Sequence, residues 1–262
     1  MTPWDPARTA QFFDEYGERE WTRFEDGRTP APSVATHIRV LERYVRSGDR
    51  VLDAGCGPGR FTLELERLGA LVTALDISPR QIELLRQRIP EVDAHVGDIV
   101  DLSRFADDAF DLTVCFGGPL SYLVDRAPDA LAELARVTRP GGHLLVSVMS
   151  LGGTVVHYAS VLADLARRDG TQRQLEIARS QLLPEAEDYG HLAMRLYRWR
   201  DLEQLLERHG EVVDGAAAGV LPHVQAEEPE IKGMLAALDA ELADDPALRG
   251  VGEHIIGVVR TT

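Results

Sequence analysis

Three glycines and a proline fall within the eight residues 53–60, DAGCGPGR, directly after the apolar pair Val51-Leu52. A strand cannot continue through such a stretch, and a helix starts at once behind it. Backbone N–H groups at the start of a helix lack intrahelical partners, and glycine lets a ligand approach them with no Cβ in the way. The turn therefore marks a cofactor site at the end of a buried strand. Its spacing is G-x-G-x-G, and the dinucleotide fingerprint G-x-G-x-x-G would need glycine where this chain has Arg60. Asp53, just before the turn, adds a carboxylate that would repel a pyrophosphate and suits an ammonium group. The charge favours a zwitterionic cofactor over a nicotinamide dinucleotide.

From Asp49 onward, short β-like runs alternate with segments of helical period, the pattern of a parallel sheet with crossover helices. Strands are expected at RVLDA, LVTALD, VDAHVG, FDLTVCF, HLLVSVM, EVVDGAA and HIIGVVR. Ahead of them, helices are expected over 8–26 and 33–47. Ser78-Pro79 offers an N-cap with proline in the first turn and Gln81 placed as in a capping box, and Asp201 offers a cap for a later helix. About fifty residues separate the fifth strand from that helix, far beyond the usual connection. TVVHYASVLADLARRDG is expected to form one helix there, closed by Gly170, and QRQLEIARSQLLP a second, ended by Pro184. A helical pair inserted at the carboxyl edge of a parallel sheet lies where open α/β folds bind ligands, so it is expected to act as a lid or substrate-binding subdomain.

The run VLDAGCGPGRFT resembles the first motif of class I S-adenosylmethionine-dependent methyltransferases, and ALDISP, FDLTVCFGGPL and RVTRPGGHLLVSV are similar to that family's later landmarks, in order. The resemblance covers roughly residues 49–150 closely, and the C-terminal tail more loosely resembles a small-molecule branch of the family. It implies an α/β fold: a Rossmann-like seven-stranded, mostly parallel sheet with flanking helices, an N-terminal helical cap and a helical insertion after strand 5. The expected units are 1–48 (cap), 49–150 (cofactor-binding core), 151–199 (insertion) and 200–262 (end of the core).

The resemblance further implies S-adenosyl-L-methionine as cofactor and S-adenosyl-L-homocysteine as product. Gly55, Cys56 and Gly57 would lend backbone to the methionine part, with Asp53 holding its amino group through water. Asp76 would accept the ribose hydroxyls, a carboxylate being able to accept two at once, and Ile77 would pack on adenine. Asp98 would take the adenine amino group while the backbone of Ile99 reads the ring, and Phe116 would border the amino-acid end. Tyr16 and Arg23, in the N-terminal segment similar to the part that folds over the cofactor, would close on its carboxylate. Cys56 is simply a small residue at its position and not a nucleophile.

Methyl transfer from a sulfonium needs a general base only when the acceptor still holds its proton. Candidates are Tyr122, His157 with its neighbour Tyr158, His191 and His223, none singled out. The metal set of catechol-type enzymes requires asparagine, which this chain lacks throughout, so no metal is expected. A net charge of -15 with Lys232 as the lone lysine argues against nucleic acid and against a polybasic membrane contact. Two cysteines and no apolar run of spanning length fit a cytoplasmic protein. The expected activity is methyl transfer to the N, O or S atom of a small molecule. The rival expectation is a non-catalytic cofactor-binding sensor or partner protein. Oligomeric state, a homodimer included, is not written in the sequence.

Overall fold

The computed structural model describes residues 4–22, 31–186, 191–221 and 228–262. In chain order the elements are α1 (Pro6–Tyr16), α2 (Arg19–Thr22), α3 (Ala31–Tyr44), β1 (Arg50–Ala54), α4 (Arg60–Arg67), β2 (Leu71–Asp76), α5 (Pro79–Arg88), β3 (Asp93–Val96), β4 (Phe110–Cys115), α6 (Pro119–Tyr122), α7 (Ala127–Val137) and β5 (Thr138–Met149). There follow α8 (Leu151–His157), α9 (Ala159–Asp169), α10 (Thr171–Ser180), β6 (Leu182–Leu183), β7 (Met194–Arg195), α11 (Trp199–Leu206), β8 (Gly210–Ala218), α12 (Pro229–Ala243) and β9 (His254–Thr261).

Seven strands form one sheet in the order β3-β2-β1-β4-β5-β9-β8. The first five run parallel, and β9 runs antiparallel to both of its neighbours. The order reverses between β1 and β4, and at such a switch point the carboxyl ends of neighbouring strands open a crevice. Alternation along β1 serves both faces of the sheet: Leu52 and Ala54 join the core cluster beneath α7, whereas Val51 packs with Val40, Leu41 and Leu65 of α3 and α4.

Helix ends carry the expected chemistry in part. The Ser78 hydroxyl accepts the Gln81 amide at 3.1 Å and caps α5. The Gln81 side chain, however, does not close a capping box; its Nε2 donates to the carbonyls of Phe13 and Gly17 at 2.9 and 3.1 Å and fastens the end of α1 to α5. The expected helix over 8–26 is interrupted at Gly17, which takes φ +52° and ends α1. Asp201 is not a cap, since Arg198 precedes the helix and Asp201 lies in its first turn.

The insertion after β5 differs from expectation in the same local way. Its first helix breaks at Tyr158 into α8 and α9. α10 stops at Ser180, where Gln181 adopts φ +61°, and the two-residue strands β6 and β7 pair behind it. Gly152 and Gly153 let α8 lie directly on the chain before β9: a Cβ on either would come within about 2 Å of the Gly250 or Gly252 carbonyl oxygen. Among the described residues no helix is long and apolar enough to cross a membrane.

Candidate cofactor site

The glycine turn uses each glycine for a separate reason. Gly55 has φ +79°, and a Cβ there would sit 2.5 Å from the Pro119 ring at the start of α6. Gly57 has φ +54° with its nearest neighbour, the Glu20 side chain, 3.7 Å away, so its need is backbone conformation and not space. Gly59 has φ +97°, and a Cβ would fall 2.3 Å from Leu85 of α5. The turn thus brings α4, α5 and α6 together around the ends of β1 and β2.

The turn's amides are committed inside the protein. Gly55 and Cys56 donate to the Leu75 carbonyl at 2.7 and 3.0 Å. Gly57 donates to Asp76 Oδ2 at 2.8 Å. The sequence expectation of open amides at these three positions is corrected: the turn can meet a ligand here through carbonyl oxygens, which suit an ammonium.

Asp76 closes β2, is 8% exposed, and also accepts the Ser78 amide at 2.9 Å through Oδ1. Burial pushes its carboxyl up to about 6; the two amide bonds oppose this, while the Glu20 and Asp14 carboxylates add to it. Asp53 is fully enclosed and accepts the Thr62 hydroxyl at 2.6 Å. Burial pushes it up to about 7, with the Thr62 bond opposing and Asp76 adding. Burial and the charges of Asp76 and Asp53 raise the Cys56 thiol well above its ordinary value, which removes it as a nucleophile.

These groups face a cavity of about 860 Å³ of empty space, open to solvent at its mouth, within the range of small-ligand sites. Gly55, Cys56, Gly57, Asp76, Ile77, Asp98, Ile99, Phe116 and Tyr122 all line it. Asp98 sits opposite Trp4, whose indole N–H donates to Oδ2 at 3.2 Å, and its Oδ1 accepts the Val100 amide. The cover comes from the N-terminal segment, through Trp4, Thr9, Phe13 and Glu20. Phe13 meets Tyr122 edge to face at 5.6 Å.

Other expected residues lie elsewhere. Asp53 does not reach the cavity, because its side chain is bonded to Thr62 on α4. Tyr16 stacks on Phe12 and under Arg19, away from the cavity wall. His157, at the end of α8, is half-buried with its pKa lowered chiefly by that burial, the Gly219 backbone and Asp239 opposing. His191 makes a ring contact with the Leu192 carbonyl at 3.0 Å. Neither histidine lines the cavity, nor does any described residue of the insertion, so the expected lid does not cover it; Tyr158 instead hydrogen-bonds Glu253. Arg23 and His223 lie outside the described residues.

Sequence reasoning missed Trp4, Phe13, Arg60 and Phe61 on the wall, and His37 behind it. The His37 ring lies 4.8 Å from that of Phe116, 5.2 Å from Phe61 and 5.4 Å from His254. The aromatic density of the N-terminal segment was the available signal for the first two; His37 carries none, being one polar residue on an amphipathic helix.

A parallel sheet with a glycine turn after its first strand, a carboxylate closing its second and a cavity at the switch point defines a nucleoside-cofactor protein of the open α/β class. Residues 51–142 match the family model described as Methyltransferase domain. Over 105 residues the chain is 41% identical to malonyl-[acyl-carrier protein] O-methyltransferase of Serratia marcescens, covering 40% of each. Over 150 residues it is 35% identical to magnesium-protoporphyrin O-methyltransferase of Rhodobacter capsulatus, covering 50% of this chain and 64% of the relative. The chain therefore spans about half the length of the curated relatives it matches. Among solved structures, an S-adenosylmethionine-dependent methyltransferase of Thermotoga maritima superimposes with a TM-score of 0.64 over 96% of this chain and 99% of its own, at 15% identity, a likeness of fold. The core of this chain belongs to the class I S-adenosylmethionine-dependent methyltransferases.

Proposed function

We propose that this protein transfers the methyl group of S-adenosylmethionine to a small-molecule acceptor. The observation that carries the reading is the order of groups along one cavity wall: the glycine turn, then Asp76, then Asp98 with Ile99. That order fits a ligand with an amino-acid end, a ribose and a base. The carboxylate of Asp76 retains acceptor capacity for ribose hydroxyls beyond its two amide bonds. Ile77 and Ile99 offer apolar surface to a purine, and Asp98 an acceptor for its amino group. The curated relatives named above are O-methyltransferases, which supports an oxygen acceptor here as well.

When bound, the sulfonium cofactor supplies an activated methyl group, so the protein's own task is alignment, exclusion of water and, for a neutral acceptor, removal of a proton. Phe13, Phe61 and Phe116 make the donor end apolar, and Trp4 and α1 close it against water. Tyr122, on the same wall, is the hydroxyl placed to orient an acceptor. The insertion packs beside it through Met194, Leu196 and Leu183, so acceptor selection is assigned to that side of the cavity.

Calorimetry with S-adenosylhomocysteine, followed by labelled S-adenosylmethionine and a small-molecule extract, tests the reading. Micromolar affinity together with label transferred to a low-mass product is expected. Affinity without transfer would indicate a sensor, and no affinity would overturn the proposal.

A further inference from the structure

We propose that Arg60 holds the carboxylate at the amino-acid end of the cofactor, so that the site distinguishes an amino-acid nucleoside from a bare nucleoside thioether. The inference rests on the function proposed above and names one subsite of it.

Charge on the cavity wall leads to this residue. Among the described residues lining the cavity, Glu20, Asp76 and Asp98 carry acidic side chains and Arg60 alone a basic one. A ligand end bearing both an ammonium and a carboxylate needs one site of each sign. The carbonyls of the turn and Glu20, whose side chain lies beside Gly57, suit the ammonium. The carboxylate is left to Arg60, the first residue of α4, where the helix dipole also favours an anion.

The guanidinium is also held ready. Its Cζ lies 4.4 Å over the Trp21 ring, and Nη2 donates to the Trp21 carbonyl at 2.6 Å. Arg88 stacks on the same indole, also at 4.4 Å, and pairs with Glu18. Trp21 is therefore a plate between two cations, one turned to the cavity and one to the outer surface. A guanidinium carries five N–H donors in a planar fork matched to carboxylate, and the Trp21 carbonyl takes one of them. Stacking lowers the ordering cost of binding through the rest. Tyr16, expected from sequence to meet this carboxylate, is turned away on Phe12.

Three ligands separate the possibilities by calorimetry: S-adenosylhomocysteine, its decarboxylated analogue, which keeps the ammonium, and 5′-methylthioadenosine, which lacks the amino-acid part. In Arg60→Gln, affinity for S-adenosylhomocysteine should fall roughly 10- to 100-fold, the range of a charge-assisted hydrogen bond. Affinity for the other two should stay within about twofold of wild type, an expectation from their lack of any group for Arg60 to hold. Arg60→Lys should recover part of the loss, and Arg88→Gln should leave the preference among ligands unchanged. An equal loss for all three ligands would show that Arg60 merely props the N-terminal segment, and no loss would show that it does not touch the ligand; either result overturns the proposal. Wild-type protein that binds the two truncated ligands but gains nothing from the carboxylate would overturn it while leaving the proposed function standing. Wild-type protein that binds none of the three would overturn both.

Discussion

Asp76 Oδ2 accepts the Gly57 amide at 2.8 Å, so the acid that closes the second strand also fixes the turn that follows the first. One carboxylate thereby sets the turn's shape and faces the ribose position. Its pKa of about 6 makes the pair sensitive to pH. A protonated Asp76 loses acceptor strength on both counts, so affinity for S-adenosylhomocysteine should be steady above pH 7 and weaken as pH falls through about 6. Asp76→Asn should bind at least about tenfold more weakly at pH 8, the value of one charged hydrogen bond, and the step near pH 6 should vanish. Calorimetry between pH 5 and 8 measures both; a step unchanged in the variant would assign it to another group.

The three glycines of the turn should not be equally replaceable. Gly55→Ala combines a left-handed φ with a Cβ 2.5 Å from Pro119, whereas Gly57→Ala meets only the φ. A left-handed non-glycine residue costs about 1 kcal/mol, and overpacking typically adds about 1–3 kcal/mol. Chemical denaturation should therefore rank Gly55→Ala as clearly more destabilising than Gly57→Ala. Equal losses would mean that α6 yields to the new methyl.

Much of the core was legible because its signals are local: alternating apolar runs, the glycine turn, the Ser78-Pro79 cap. What the sequence hid depends on contacts between distant residues. Asp53 looks like a site residue, yet β1 alternates, and Asp53 shares a face with Val51, toward α4, where Thr62 receives it. Gln81 sits correctly for a capping box and is drawn away by the carbonyls at the end of α1. The cavity's cover was sought in the long insertion, whose described residues stand to one side, while Trp4 and Phe13 arrive from the other end of the chain. Arg60 read as a departure from one fingerprint, and its partner Trp21 lies 39 positions away.

The hold of α1 on the core is polar and concentrated. Thr9 is its one buried residue, and its tethers are Gln81 to Phe13 and Gly17, Asp14 to Ser78 and the Arg80 amide, and Trp4 to Asp98. Gln81→Ala removes two of these bonds, each worth about 1 kcal/mol net. The expected result is faster amide exchange in α1 and a release rate for S-adenosylhomocysteine raised roughly tenfold, since about 1.4 kcal/mol is a factor of ten. Stopped-flow displacement measures the rate, and an unchanged rate would show that α1 need not move for release.

Asp53 supplies the sharpest test of stability against pH. Its folded pKa of about 7 stands above the ordinary aspartate value of 3.8. The folded state thus binds this proton more tightly than the unfolded one, and the associated stability is complete below about pH 4 and lost as pH rises through about 7. Above neutrality the native protein bears the cost of a buried, ionised carboxylate held by one hydroxyl. Asn at this position can still accept from Thr62 and carries no charge. Asp53→Asn should raise the melting temperature at pH 8 and change it little near pH 4. The gain at pH 8 should be equivalent to a few kcal/mol, since each tenfold difference in proton affinity between the folded and unfolded states is worth about 1.4 kcal/mol. Thermal melts at the two pH values decide the matter: a variant less stable than the parent at pH 8 would show that Asp53 is ionised and well compensated in the native fold.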